Sequence, residues 1–121
     1  MSSPEPLDRA IDYFENLLNL IENLMKKLNH PNIIKFKEFF TSKKPQLSFN
    51  IVCEYADGGD LSKVVETHAK NKQHIQENMI WFWFLQLCQA IRYMHSKHII
   101  HRDIKCLNTF LTKKQYVKIN L

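Results

Sequence analysis

The 121 residues suffice for one small domain, and a composition of 45% hydrophobic and 24% charged residues excludes wholesale disorder. The net charge of +5 is scattered in short pairs, Lys26-Lys27, Lys43-Lys44 and Lys113-Lys114, which argues against a nucleic-acid partner, since no long basic run is present. Only 2 glycines occur, the adjacent Gly58 and Gly59, so none is left to cradle a phosphate elsewhere in these residues.

Residues 1–7 read as a loose start, with Pro4 and Pro6 blocking regular structure. The periodicity predicts a helix from about Asp8, a suitable N-cap, to Leu28. Its apolar residues Leu17, Ile21, Leu24 and Leu28 recur at three- and four-residue steps, which predicts one buried stripe. His30-Pro31-Asn32 ends this helix. Two strands follow, Ile33 to Phe40 and Leu47 to Tyr55, joined by a polar turn around Pro45 and expected to pair antiparallel. Asp60 can cap a short helix from Leu61 to near Lys72. A long helix is predicted from about Gln76 to Ser96. It carries Trp81-Phe82-Trp83-Phe84-Leu85 and is apolar nearly all round, with little in the chain to cover it. Trp81 and Trp83 are expected in its core rather than as a base-stacking platform. Two short strands, Phe110-Leu111 and Tyr116 to Ile119, close the pass.

Cys53, Cys88 and Cys106 are far apart and form no CxxC pair. That pattern fits free thiols in a reducing compartment. The start of the chain has no charged-then-apolar signal, and the longest apolar run, Met79 to Leu85, is far too short to span a membrane. A cytoplasmic or nuclear protein, with no membrane partner, is the expectation. His68, His74, His95 and His98 show no metal-ligand spacing, and Cys106 reads as an ordinary loop cysteine.

Chemistry concentrates in His101-Arg102-Asp103-Ile104-Lys105-Cys106-Leu107-Asn108. This stretch fits H-R-D-x-K-x-x-N, a pattern of five fixed residues that a given position matches by chance roughly once in three million. Phosphoryl transfer to a hydroxyl needs a carboxylate to orient the attacking oxygen and accept its proton, which suits Asp103. A cation beside the transferred group offsets developing charge, which suits Lys105. A neutral oxygen donor can join a Mg²⁺ shell and tie the loop, which suits Asn108.

The stretch resembles the catalytic loop of protein kinases, in its serine/threonine version. On that resemblance the other segments fall into order from about residue 17 to 119. Leu28 to Ile34 is similar to the turn between helix C and strand 4, and Ile51 to Tyr55 to strand 5 running into the hinge. The resemblance places Cys53 at the gatekeeper position. It gives the main-chain carbonyl of Glu54 and amide of Ala56 to adenine, and sets Asp60 near the ribose. Residues 61–72 resemble helix D and 76–98 helix E. Within the family the likeness is to the NIMA-related (mitotic and ciliary) kinases, through Glu54-Tyr55-Ala56-Asp57-Gly58-Gly59-Asp60-Leu61 and Asn108-Thr109-Phe110-Leu111-Thr112.

The resemblance implies an α+β, partial protein-kinase-like fold: helix C, strands 4 and 5, hinge, helices D and E, catalytic loop, strands 7 and 8. It implies a loose start over 1–12 and a partial kinase domain over 13–121, with 13–55 from the small lobe and 56–121 from the large lobe. ATP, Mg²⁺ and a protein substrate follow as expected partners, with cytoskeletal or ciliary association as a subfamily expectation.

Three departures stand out. No G-x-G-x-x-G loop or V-A-I-K strand precedes the first helix. The helix C glutamate usually lies nine residues before the His of the H-P-N turn, where this chain has Ile21. Glu22 is one residue late, rotated by about 100°, and is expected to be exposed. In ungapped register Leu121 stands where the family has its metal-binding Asp; with one inserted residue the sequence would end just before that motif. Truncation with little activity is therefore the expectation. The alternatives are a pseudokinase-like interaction module, with a protein partner over the aromatic helix 79–94, or an incomplete or degenerate kinase gene product.

Overall fold

The structure, a computed structural model, describes residues 6–121. Its elements are α1 (Pro6–Lys26), β1 (Phe36–Ser42), β2 (Ser48–Cys53), α2 (Leu61–Lys70), α3 (Glu77–Ser96), β3 (Thr109–Leu111) and β4 (Val117–Ile119), with a 3-10 turn at Cys106–Asn108. The mixture is α+β, with two separate two-stranded antiparallel sheets. The chain divides into two compact units. One holds residues 6–28 together with Phe36–Cys53. The other holds Asn29–Lys35 and Glu54–Leu121.

In the first unit, β1 and β2 pair antiparallel, as their alternating aromatic pattern predicts, from Phe36 opposite Cys53 to Ser42 opposite Ser48. The α1 helix packs on this sheet, with Phe14 and Phe49 rings 6.2 Å apart. Three expectations need correction here. The helix starts by Pro6, so residues 6–12 are helical and not loose, and Asp8 lies in the first turn instead of capping it. Proline is tolerated there because first-turn N–H groups have no partner within the helix. Residues 1–5 lie outside the described residues. The stripe of Leu17, Ile21 and Leu24 is exposed, and only Leu28, beyond the helix end, is buried. The half-buried face is instead Ile11, Glu15, Leu18, Glu22 and Met25, at steps of four and three. Glu22 is thus not an exposed residue. Its side chain is 17% exposed and pairs with Lys26 at 2.6 Å.

The second unit is built around α3. Ile33, Ala90, Met94 and Ile119 form one buried cluster, and Trp83, Leu111 and Val117 another. Ile33 bridges Ile119 in parallel, and the Ile34 N–H donates to the Ile119 carbonyl at 2.9 Å. Segment 29–35 therefore belongs with β4, although the sequence suggested a boundary after residue 55. Asn32 is buried; its Nδ2 donates to the Gln86 Oε1 and to the Val117 carbonyl, both at 2.9 Å. His30 Nδ1 accepts the Asn32 N–H at 3.0 Å, and burial holds its imidazole below the usual pKa. The His30 ring lies 5.1 Å from that of Tyr93, whose hydroxyl accepts the Asn29 N–H.

Asp60 caps α2 as predicted: its Oδ1 accepts the Lys63 N–H at 3.1 Å and the Ser62 hydroxyl. The turn before it lies on β3. Gly58 N–H donates to the Leu111 carbonyl at 2.7 Å, and the Leu111 N–H returns to the Gly59 carbonyl at 2.8 Å. A β-carbon on Gly58 would come within 2.6 Å of the Leu111 oxygen, and Gly59 has φ of +75°, so both positions call for glycine. Trp83 is buried as expected, but Trp81 is 54% exposed, its Nε1 reaching Glu77 at 3.4 Å, so it is not a core residue.

Candidate active-site loop

Three side chains singled out for chemistry come together in the loop that follows α3. His101 anchors it. Its Nε2 lies 2.6 Å from the Asn120 carbonyl, which can only accept, so Nε2 carries the proton. Nδ1 is then the acceptor for the Asp103 N–H at 3.1 Å. Between them Arg102 takes a left-handed φ of 70°, a sparsely populated conformation for a residue with a β-carbon. That turn brings the chain back so that Asp103 sits beside His101.

The Asp103 carboxylate is tethered through one oxygen. Asn108 Nδ2 donates to Asp103 Oδ2 at 3.1 Å and to its main-chain carbonyl at 3.0 Å. Lys105 Nζ lies 3.5 Å from the same Oδ2. Both side chains of that ion pair are more than half exposed, so the pair contributes little to stability. Its value is orientation: Oδ2 takes both contacts, and among the described residues Oδ1 takes none. The 3-10 turn fixes Asn108, whose N–H donates to the Lys105 carbonyl at 3.0 Å. Its own carbonyl accepts the Asn120 N–H at 2.8 Å, joining the loop to the end of β4. Thr109 Oγ1 adds a bond to the Lys105 carbonyl at 2.9 Å.

The expected nucleotide contacts are placed as follows. Cys53 ends β2 with an exposed thiol. Glu54 uses its N–H on the Lys35 carbonyl at 2.8 Å. Its Oε1 accepts the Lys35 N–H at 2.7 Å and Lys118 Nζ at 3.2 Å, which fixes the start of this segment. Among the described residues the Glu54 carbonyl and the Ala56 N–H, two residues apart, meet no partner. Asp60 bridges Phe110 in β3, two residues after Asn108. Its carboxyl is held below the usual range, chiefly by the Ser62 hydroxyl and further by the Lys63 N–H.

The donor set fits Mg²⁺ only in part. With Nδ2 turned to Asp103, Asn108 keeps Oδ1 as a hard oxygen donor. Among the described residues no group of three or more His, Cys, Asp or Glu could hold a metal ion. No described helix is long and apolar enough to cross a membrane.

Two structural residues escaped sequence reasoning. Gln86 is buried on α3 and takes four hydrogen bonds, two of which, from the Val117 N–H and to the Gln115 carbonyl, fasten β4 and the turn before it. A lone amide inside an aromatic helix was the available signal. Glu22 lies on a second apolar face of α1, and that face is the signal that the register of the H-P-N turn does not carry.

A family model described as "Protein kinase domain" matches residues 13–120. The chain is 40% identical over 96 residues to serine/threonine-protein kinase Nek1 of Mus musculus, an alignment covering 79% of this chain and 8% of that protein. It is 41% identical over 96 residues to serine/threonine-protein kinase Nek3 of Mus musculus, covering 79% and 18%. Serine/threonine-protein kinase Nek11 of Homo sapiens is 40% identical over 101 residues, covering 84% and 15%. The chain thus spans less than a fifth of the length of these relatives.

Proposed function

This chain belongs to the protein kinase family, and from that premise we propose that its 101–108 loop serves phosphoryl transfer from ATP to serine or threonine hydroxyls. The architecture is a partial protein-kinase-like α+β fold, and the relatives are NIMA-related (Nek) serine/threonine kinases. The observation that carries the reading is the one-sided tether of Asp103. Asn108 and Lys105 hold Oδ2, so Oδ1 can face a substrate hydroxyl, orient it and take its proton. Lys105 stands close enough to share its charge with a phosphoryl oxygen. Asn108 offers Oδ1 to Mg²⁺, which when bound neutralises phosphate charge. In the same reading the Glu54 carbonyl and Ala56 amide receive adenine, Cys53 sits at its inner end and Asp60 meets the ribose. The three exposed free thiols suit a reducing compartment such as the cytoplasm.

The test is a chimera. Residues 99–120 replace the matching segment of the mouse Nek1 kinase domain, and kcat is measured on a serine peptide. The chimera should retain activity, and Asp103→Asn within it should lower kcat by roughly 10²- to 10⁴-fold. A folded but inactive chimera, or one indifferent to Asp103→Asn, would sink the reading.

A second reading rests on a different observation. Ile80, Trp81, Phe82, Phe84 and Leu85 on α3 are 42–57% exposed. Apolar surface of that extent marks an interaction face, so the chain would then act as a non-enzymatic, pseudokinase-like module covered by a protein partner. Its state in solution tests this.

A further inference from the structure

His30 lies in the turn that carries segment 29–35 onto α3 and β4, and it is half-buried there. Its Nδ1 accepts the Asn32 N–H at 3.0 Å, so the proton of the neutral ring is on Nε2. The ring stands 5.1 Å from that of Tyr93 on α3, and the Tyr93 hydroxyl accepts the Asn29 N–H at 2.9 Å. The Ile33 N–H closes the turn on the His30 carbonyl at 3.1 Å. Asn32 is only 5% exposed and is committed elsewhere: Nδ2 gives two bonds, and its carbonyl accepts the Ile119 N–H at 2.9 Å.

A second proton on this ring would sit on Nδ1 and point at the Asn32 N–H, donor against donor. The Asn32 N–H would then be buried without a partner, a state that a folded chain escapes by moving the group. The surroundings do not favour the added charge. α3 contributes Tyr93 and Lys97, whose Nζ lies 5.7 Å from the Tyr93 ring centroid. β4 contributes Lys118, paired with Glu54 at 3.2 Å. Lys26 is paired with Glu22, and Lys27 and Lys35 flank His30 in sequence. Among the described residues no Asp or Glu forms an ion pair with His30. Burial holds the imidazole below its ordinary pKa of 6.5. The unfolded chain therefore takes up this proton first. The bond contributes in full above the ordinary value, and its contribution is lost as the pH falls through the folded one.

The turn reaches the 101–108 loop through β4. The Asn32 carbonyl accepts the Ile119 N–H and the Ile34 N–H donates to the Ile119 carbonyl, both at 2.9 Å. The next residue, Asn120, donates its N–H to the Asn108 carbonyl at 2.8 Å and accepts His101 Nε2–H on its own carbonyl at 2.6 Å. We propose that His30 is a pH-operated latch: neutral, it holds segment 29–35 on α3 and β4; protonated, it frees the turn and with it the end of β4 that anchors Asn108 and His101. The latch is a property of the fold and stands or falls without the phosphoryl-transfer reading.

The full chain is titrated from about pH 7.5 to about pH 5, with ring ¹⁵N and amide signals followed together by NMR. At the upper pH the His30 ring should be the Nε2–H tautomer, and its titration midpoint should lie below 6.5. The Asn32 and Ile119 amide signals should move with that same midpoint, and the Asn120 amide should carry a component of it. In His30→Gln, whose side chain does not titrate, the movement of the Asn32 and Ile119 signals should shrink at least about threefold. The proposal is overturned by a ring midpoint at or above 6.5, or by Asn32 and Ile119 signals that ignore the titration of the ring. Equal movement in His30→Gln also overturns it, since the response would then belong to another group such as His101. The wild-type titration can return the first two of these results alone, so a variant that fails to fold leaves the test intact.

Discussion

Gln86 uses all of its hydrogen-bonding capacity. Oε1 accepts from Asn32 Nδ2 and the Val117 N–H, each at 2.9 Å, and Nε2 donates to the Phe82 and Gln115 carbonyls. One buried amide thereby joins the 29–35 segment, α3 and β4, and holds the strand pair whose end anchors Asn108 and His101. Replacing it by leucine strands the Val117 N–H and weakens the Asn32 amide, each loss costing about 1–3 kcal/mol. Gln86→Leu should therefore lower unfolding stability by about 2–4 kcal/mol in denaturant titration. A loss below about 0.5 kcal/mol would show that the network carries no weight. Residues with local jobs were legible in the sequence. Asp60 caps α2 because its carboxylate need only reach Ser62 and Lys63, and the Asp103–Asn108 loop closes within six residues. Gln86 was not legible, because its partners lie 54 and 31 residues away.

The two long helices differ in what periodicity could reveal. Apolar residues occupy two neighbouring stripes of α1, so period alone could not choose between Leu17–Ile21–Leu24 and Ile11–Leu18–Met25. The second is the half-buried one. On α3 the excess of apolar residues was plain, and burial is confined to Trp83, Gln86, Ala90 and Met94. The uncovered side, with Trp81, Phe84 and Leu85, should make the 121-residue chain self-associate in sedimentation velocity. Changing these three to glutamine should return a monomer, since none of them is buried. A monodisperse wild-type monomer that melts cooperatively would contradict both this expectation and the interaction-module reading.

At the scale of the molecule, the family and the loop were readable because H-R-D-x-K-x-x-N is compact and its chemistry is local. The allocation of segments was not. Asn29–Lys35 precedes the β1–β2 sheet in sequence yet packs with β4, through Ile33, Ile34 and Asn32, and only long-range contacts decide that. Taken together, these residues present an oriented Asp103 and its Lys105 and Asn108 supports. Among the described residues, Asn108 Oδ1 and Asp103 Oδ1 are the side-chain oxygens they leave unengaged, fewer than the near-octahedral shell of Mg²⁺ requires. The 101–108 loop is therefore expected to serve catalysis within a complete kinase domain and to give no turnover in the isolated 121-residue chain. The direct measurement is transfer of labelled phosphate from Mg²⁺–ATP to a serine/threonine peptide by the purified 121-residue chain, beside Asp103→Ala. Equal, background-level signals are expected from the two. Robust transfer by the wild-type chain that Asp103→Ala abolishes would contradict it.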